Sequence, residues 1–300
     1  MAVTSLHLIL TYECPFECDH CFVWSGPSAR RGVMSVEDLR SILREAKKTG
    51  TVTSIYFEGG EAFLYYPILL KGLQLARKAG LDVGIVTNGY WATSYEDALE
   101  WLRPLKSMGI MDLSISNDPY HYGVDELNRA EVARRAARDL GLPASFIAVE
   151  EPTPGDRRGR RGEPVTGGAL MVRGRAARNL AWKMEKRPWR TFTRCRHENL
   201  ADPQRVHLDP FGFVQVCQGI SIGNFRDKPL SKILKGYRPR ADPISGPLLR
   251  GGPKALVEAY HVAHGRAYAD ECHLCYEARS ALRERFPYIL APEQVYGIPP

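Results

Sequence analysis

The sequence contains no apolar run close to the roughly 20 residues that a membrane-spanning helix requires. The N-terminal stretch has neither the basic segment nor the small-residue cleavage site of a secretory signal. These two absences predict a cytoplasmic protein that has no membrane partner. Cysteine is scarce, with seven in 300 residues, and structural disulfides are rare in the cytoplasm. Cysteines that are grouped there more often bind metal or carry out redox chemistry.

The charge balance is only mildly basic, with a formal net charge of +7. Such an excess can attract nucleic acid, acidic peptides or phosphorylated small molecules. Much of it is concentrated in RRGRR, residues 157–161, within a long Pro-, Gly- and Arg-rich segment at 150–168. On charge alone this segment is a solvated loop, so the composition by itself makes nucleic acid an improbable partner.

The first half of the chain alternates between strand-like and helix-like patterns, which predicts parallel strands joined by helices. Strands are predicted at 5–10, 53–59, 82–89, 111–117 and 144–150, and helices at 35–50, 67–80, 94–109 and 125–141. A sixth strand running into a helix is predicted at 168–180. After about residue 190 the pattern changes to a hairpin at 204–219 and weak helices at 230–235, 253–264 and 271–285.

Three of the seven cysteines follow the first predicted strand as C-x3-C-x2-C, at Cys14, Cys18 and Cys21. Thiolates bind zinc or iron–sulfur clusters. His20 is next to Cys21 and is therefore poorly placed as a fourth zinc ligand. A four-iron cluster held by three cysteines has one iron with an open position, where a substrate or cofactor can bind.

This loop resembles the cysteine motif of the radical S-adenosylmethionine (SAM) enzymes. The resemblance implies that SAM chelates the open iron of a [4Fe–4S] cluster and that an external one-electron reductant, flavodoxin or ferredoxin, supplies the electron. SAM is then cleaved to a 5′-deoxyadenosyl radical, which abstracts a hydrogen atom from substrate carbon. The implied fold is α/β, a partial (β/α)6 TIM-like barrel over residues 1–190, with a small C-terminal α+β auxiliary-cluster domain at 191–300.

The ends of later strands carry further matches to this family. EGGEA at 58–62 resembles the GGE motif that binds the SAM amino group, although Gly-Gly is also common in ordinary turns. The Asn-Gly after Thr87 is likewise a common turn sequence, and buried serines are often simply satisfied. The resemblance implies a SAM pocket lined by His20, Phe22, Gly59, Gly60, Glu61, Thr87, Asn88, Ser114, Ser116 and Arg175.

Three aromatic side chains follow the fourth strand at the same edge of the sheet. Tyr120, His121 and Tyr122 are candidates for shaping the substrate pocket, and His121 is a candidate general base. The competing interpretation is that His121 is a surface residue of a loop.

The remaining cysteines are Cys195, Cys217, Cys272 and Cys275. In isolation, a hairpin cysteine followed by a distant C-x2-C pair is typical of a zinc ribbon. In this context the pattern resembles the Twitch and SPASM domains of radical SAM enzymes, which implies a second, auxiliary [4Fe–4S] cluster. If all four cysteines ligate it, the cluster is closed and can only pass electrons. A net oxidation of a small polar metabolite is then expected, with the auxiliary cluster as electron acceptor.

Three plus four ligands use all seven cysteines, so none is left to donate a hydrogen atom or to act as a nucleophile. Only 13 residues precede the first cysteine, which leaves no room there for a leader-peptide-binding domain. Two alternatives stay open. One is a radical SAM enzyme that modifies a peptide or protein by crosslinking or side-chain oxidation. The other is a non-catalytic zinc protein that binds nucleic acid.

Overall fold

Strands and helices alternate through the first half of this computed structural model, which describes residues 2–123, 127–150 and 168–298. The strands are β1 (Ser5–Ile9), β2 (Ser54–Glu58), β3 (Asp82–Thr87), β4 (Asp112–Ser116), β5 (Ala144–Ile147), β6 (Val149–Glu150), β7 (Gly168–Ala169), β8 (Arg187–Pro188), β9 (Arg205–Leu208), β10 (Phe213–Cys217), β11 (Ile220–Asn224) and β12 (Ala267–Tyr268). The helices are α1 (Val36–Thr49), α2 (Tyr66–Lys78), α3 (Tyr95–Leu102), α4 (Arg129–Asp139), α5 (Arg175–Asn179), α6 (Leu230–Gly236), α7 (Ser245–Tyr260) and α8 (Glu271–Leu282). The arginine-rich segment at 157–161 lies outside the described residues.

The main sheet has the strand order β11-β10-β9-β1-β2-β3-β4-β5 within the described residues. Strands β1 to β5 pair in parallel with their sequence neighbours, as the βα alternation predicts. β9 is also parallel to β1, and the hairpin β10–β11 adds two antiparallel strands beyond it. The mixed α/β fold and the partial barrel are thus confirmed, and the sheet does not close.

The predicted sixth barrel strand is wrong in its position. β7 is only two residues long and pairs with β6, outside the main sheet. The residues after it pack in a separate small core, in which Leu170 and Val172 are buried with Ala269. The Val172 amide donates to the Asp270 carboxylate instead of to a neighbouring strand. The sixth parallel strand of the main sheet is β9, the first strand of the predicted hairpin, on the opposite side of β1.

The two faces of the main sheet differ in polarity because side chains alternate along each strand. Leu8 and Phe57 are paired in register on one face, where Phe57 packs against Gly72 of α2. His7 and Tyr56 are paired on the other face, where Ser54 Oγ donates to Ser5 Oγ at 2.9 Å. The concave inner face is therefore polar and can accommodate a polar ligand.

The helix boundaries follow local signals in the sequence. The predicted capping box of Ser35 and Asp38 is present at the start of α1, and Gly50 ends this helix with φ of 70°. None of the helices in the described residues combines the length and apolar character that crossing a bilayer requires.

Candidate functional site

The loop after β1 brings Cys14, Cys18 and Cys21 to the wall of one cavity of about 160 Å³. The cavity lies at the carboxyl edge of the parallel strands, where α/β proteins bind ligands. The sequence-predicted residues that share this wall are His20, Phe22, Gly59, Gly60, Thr87, Asn88, Ser116 and His121. The structure thus assembles most of the predicted SAM pocket around the three sulfur atoms.

The sulfur atoms already have hydrogen-bond donors. Cys14 Sγ accepts from the Phe16 amide at 3.4 Å and from Asn88 Nδ2 at 3.4 Å, and Cys21 Sγ accepts from the Ser25 amide at 3.3 Å. Burial raises the pKa of the Cys14 thiol to about 12, so the thiolate needs a bound metal to form at neutral pH. Three sulfurs on one cavity wall, two of them with N–H donors, fit an iron–sulfur cluster with an open iron.

Two glycines after β2 allow the chain to approach the cysteine loop closely. The Gly60 amide donates to the Thr11 carbonyl at 2.7 Å, and the Glu61 amide donates to the Glu13 carbonyl at 2.9 Å. A Cβ atom on Gly60 would lie 2.3 Å from the Glu13 carbonyl oxygen. Only glycine fits here, because any side chain would separate the two loops.

A Gly60→Ala variant is therefore expected to lose about 3 kcal/mol of unfolding free energy, because the clash is with backbone atoms. Denaturant unfolding of the apo-protein measures this. Gly236→Ala is the matched control, since the nearest atom to its Cβ is Lys228 Nζ at 3.7 Å. If both variants unfold at the same denaturant concentration, the close approach of the two loops is contradicted.

Glu61 connects the loops that follow β2 and β3. Its side chain is buried and accepts from the Phe63 amide at 3.0 Å, from Thr87 Oγ1 at 2.9 Å and from the Asn88 amide at 2.7 Å. Burial raises the pKa of Glu61 to about 7, against the effect of these donors. The carboxylate thus holds Asn88 in place beside Cys14. Its predicted contact with the SAM amino group stays a prediction.

The predicted aromatic group at 120–122 is held in place by Asp118, which was not among the predicted site residues. His121 Nδ1 lies 2.9 Å from Oδ1 of buried Asp118, which also accepts the Tyr120 amide. The hydrogen bond from His121 offsets burial and holds the pKa of Asp118 below its usual range. Tyr120 packs against His20, with ring centroids 4.8 Å apart. The hydroxyl of buried Tyr122 donates to the Asn88 carbonyl, so Tyr122 supports the wall of the cavity.

Two other predicted pocket residues, Ser114 and Arg175, are not part of the cavity wall. Ser114 Oγ donates to Asp112 Oδ2 at 2.6 Å, one pleat below Ser116 on β4. Arg175 is buried and donates to the Cys18 carbonyl at 2.7 Å and the Ser25 carbonyl at 2.6 Å. Arg175 therefore holds the second half of the cysteine loop, from Cys18 to Ser25, and its predicted contact with SAM stays a prediction.

The other four cysteines also meet in one place. Cys195, Cys217, Cys272 and Cys275 line a small cavity of about 20 Å³. Arg173 and Arg279 share its wall, and their side chains are only 3% and 1% exposed. Arg173 Nη1 donates to Cys217 Sγ at 3.1 Å. Residues from four separate segments of the chain thus form this second centre.

Charge balance at the second centre is compatible with a thiolate-bound metal group. The Nε atoms of Arg173 and Arg279 are buried without a hydrogen-bond partner among the described residues. Buried cations need negative charge nearby. The buried carboxylate of Glu198, 4.0 Å from Arg173, supplies part of it, and metal-bound thiolates would supply more.

The spacing of the four sulfurs is wider than in a tetrahedral zinc site. Within the described residues, no three of the four sulfur atoms lie within 4.8 Å of one another. A tetrahedral zinc site, with Zn–S bonds of about 2.3 Å, holds its sulfurs about 3.8 Å apart. A four-iron cluster binds each sulfur to a different iron atom and so holds them farther apart. The donor set therefore fits an iron–sulfur cluster.

An open parallel α/β sheet with a three-cysteine loop at its carboxyl edge defines the class, an α/β protein with a candidate metal centre. Comparison with known families is more specific, because residues 8–146 match the model of the Radical SAM superfamily. This part of the chain is therefore similar to the domains of that superfamily.

Curated relatives match over part of their length. YydG of Bacillus subtilis, named for peptide biosynthesis, is 31% identical over 112 residues, which is 37% of this chain and 35% of YydG. The PqqA peptide cyclase of Xanthomonas campestris is 29% identical over 154 residues, 48% of this chain and 39% of the cyclase. The chain thus spans little more than a third of each relative.

A solved structure shares the fold over most of the chain. The crystal structure of BtrN in complex with AdoMet and 2-DOIA superposes with a TM-score of 0.53 and 13% sequence identity. The match covers 78% of this chain and 82% of BtrN. At this level of identity the likeness concerns the fold.

Proposed function

We propose that this protein is a radical SAM enzyme that cleaves SAM reductively at the Cys14–Cys18–Cys21 loop and oxidises its substrate. The supporting observation is the single cavity that joins the three sulfurs to Gly59, Gly60 and Asn88. When bound, the cluster and SAM supply a 5′-deoxyadenosyl radical that abstracts a hydrogen atom. An external one-electron reductant, a flavodoxin or ferredoxin, is the proposed partner.

The chain's own residues position the parts of this reaction. Arg175 fixes the carbonyls of Cys18 and Ser25, and Glu61 fixes Asn88 against Cys14. The backbone carbonyls of Gly59 and Gly60 would provide acceptors for the SAM amino group. Asp118 orients His121, which lies in the cavity wall as the candidate general base.

The second centre is proposed to hold an auxiliary cluster within a C-terminal domain at 191–300. Four cysteines leave no open iron, so this cluster would exchange electrons and not bind substrate. Arg173 and Arg279 lie against its ligands and would stabilise its more reduced state, because added negative charge is favoured beside buried cations. A net two-electron oxidation of the substrate is the reaction that such a pair of centres supports.

A peptide is the substrate class that the sequence relatives favour, since both are named for peptide biosynthesis or peptide cyclisation. The second candidate is the small polar metabolite expected from the sequence. BtrN, which shares the fold, was crystallised with 2-DOIA beside AdoMet.

The test uses anaerobically reconstituted protein with SAM and dithionite. We expect 5′-deoxyadenosine and methionine to form slowly without substrate and at least tenfold faster with it. Size fractions of a cell extract, below and above about one kilodalton, distinguish the two substrate classes by which fraction accelerates the reaction. A colourless protein that contains zinc and forms no 5′-deoxyadenosine would refute the proposal and favour the zinc alternative.

A further inference from the structure

A third group of potential ligands lies on the polar inner face of the sheet. His7 on β1, Glu58 on β2 and His207 on β9 come together there, with one ligand atom of each within 4.8 Å of the others. His7 Nδ1 is 3.1 Å from Glu58 Oε2, and His207 Nδ1 is 2.7 Å from Glu58 Oε1. The two imidazoles therefore present the same nitrogen, Nδ1, to the two oxygens of one carboxylate.

Neighbouring groups fix the orientation of both rings. Tyr56 stacks on His7 with ring centroids 4.9 Å apart and an interplanar angle of 15°. On the far side of His207, Gln218 Nε2 lies 3.1 Å from Nε2. Metal-binding histidines usually have such a partner on the second ring nitrogen, because it sets the tautomer.

The side chain of Gln218 provides independent evidence on which nitrogen of His207 carries the proton. Gln218 is only 4% exposed, and its Oε1 has no hydrogen-bond partner among the described residues. Rotating the amide by half a turn lets Oε1 accept a hydrogen bond from His207 Nε2–H. The lone pair of His207 Nδ1 then faces a carboxylate oxygen, an arrangement that is stable only with a cation between them.

The cationic side chain on β9 is paired with a carboxylate outside this group. Arg205, which precedes this group on β9, lies 3.6 Å from Glu198 and so has its own counter-charge.

We propose that His7, Glu58 and His207 bind one divalent transition-metal ion of the zinc or iron(II) class. Metal–ligand bonds of about 2.1 Å place neighbouring donors about 3.3 Å apart, so the site needs to open by only a few tenths of an ångström. Two imidazoles and one carboxylate leave coordination positions open. Glu58 also lines the cavity of the three cysteines, so an oxygen atom of a bound substrate could occupy such a position.

The test uses Mn²⁺ alone with the cluster-loaded, oxidised protein. Mn²⁺ prefers oxygen and nitrogen donors over thiolate, so it leaves the cysteines undisturbed. We expect one Mn²⁺ per chain, counted from the loss of the free-ion electron paramagnetic resonance signal, with nuclear couplings to two imidazole nitrogens. Added Zn²⁺ should displace it, because zinc is higher in the affinity series.

Three variants and one control decide the outcome. His7→Gln, His207→Gln and the isosteric Glu58→Gln should each weaken Mn²⁺ binding at least tenfold, while iron content reports that the protein has folded. His264→Gln, an exposed histidine beside Trp189, should bind Mn²⁺ as the wild type does. Equal binding by all proteins, or no nitrogen-coupled Mn²⁺ at millimolar concentration, would overturn the site and show that a shared proton holds the three residues together. Either result leaves the SAM-cleavage proposal intact, since that rests on the cysteine loop.

Discussion

Cys18→Ala protein, reconstituted with iron and sulfide under anaerobic conditions, is expected to form no 5′-deoxyadenosine from SAM. Cys18 lies in the cavity wall with Cys14 and Cys21, and two cysteines cannot hold a four-iron cluster in place. Without that cluster no electron reaches the sulfonium, so the rate should fall to that of the reaction without protein. Chromatographic measurement of 5′-deoxyadenosine after addition of dithionite provides the test.

The control for this variant is internal to the chain, because Cys272 lies at the other centre. Cys18→Ala should retain the iron of the second centre, about four atoms per chain, and its folded state. Formation of 5′-deoxyadenosine by Cys18→Ala at more than a tenth of the wild-type rate would show that the loop is not the site of SAM cleavage.

Cys272→Ala is expected to remove about four of about eight iron atoms per chain and to leave reductive SAM cleavage largely intact. Burial raises the pKa of the Cys272 thiol far above its ordinary value, so only metal binding makes this residue a thiolate. With a substrate in hand, product formation should stop, because the electron that the substrate loses has no acceptor. Iron analysis and electron paramagnetic resonance of the reduced protein measure the first effect.

A second variant at this centre guards against simple misfolding. Cys275→Ser keeps a polar atom of similar size one helical turn away on α8, and it should also lose one cluster while the chain stays folded. If both variants retain about eight iron atoms, the four cysteines do not form an auxiliary cluster site. If both lose zinc in place of iron, the zinc-ribbon interpretation is correct for this centre.

The cysteine loop, the Gly59–Gly60 turn and the βα alternation could be predicted because each depends on residues that are close in sequence. The C-x3-C-x2-C spacing alone predicted that Cys14, Cys18 and Cys21 bind one metal centre. Parallel strands place all their carboxyl ends at one edge, so the pocket residues after successive strands were expected to meet there. The structure brings most of them to one cavity.

The features that sequence reasoning missed act over long distances or through burial. Arg175 was predicted to contact SAM, but its hydrogen bond to the cysteine loop from more than 150 residues away was not predicted. Arg279 was not predicted at all, and it donates to the Gln218 carbonyl at the second centre. An arginine in a sequence gives no indication that it will be fully buried. The C-terminal segment had no predicted place, yet Gln294 Nε2 donates to the Trp24 carbonyl at 2.7 Å and so contacts the chain just after the cysteine loop. Asp118 had a weak signal, three residues before His121.

The pairing of β9 with β1 has a consequence for how far an electron must travel. The strand that bears the cysteine loop and the strand that ends in Cys217 are separated by one intervening strand. Because β10 runs antiparallel to β9 and β1, Cys217 lies towards the amino end of β1, so the two centres are separated along the strands as well as across them. Hydrogen-bonded strands form a stiff sheet, so changes in the connecting loops would not alter the separation between β1 and β10. With clusters bound at both centres, as proposed, the sheet would keep the distance between them constant during turnover.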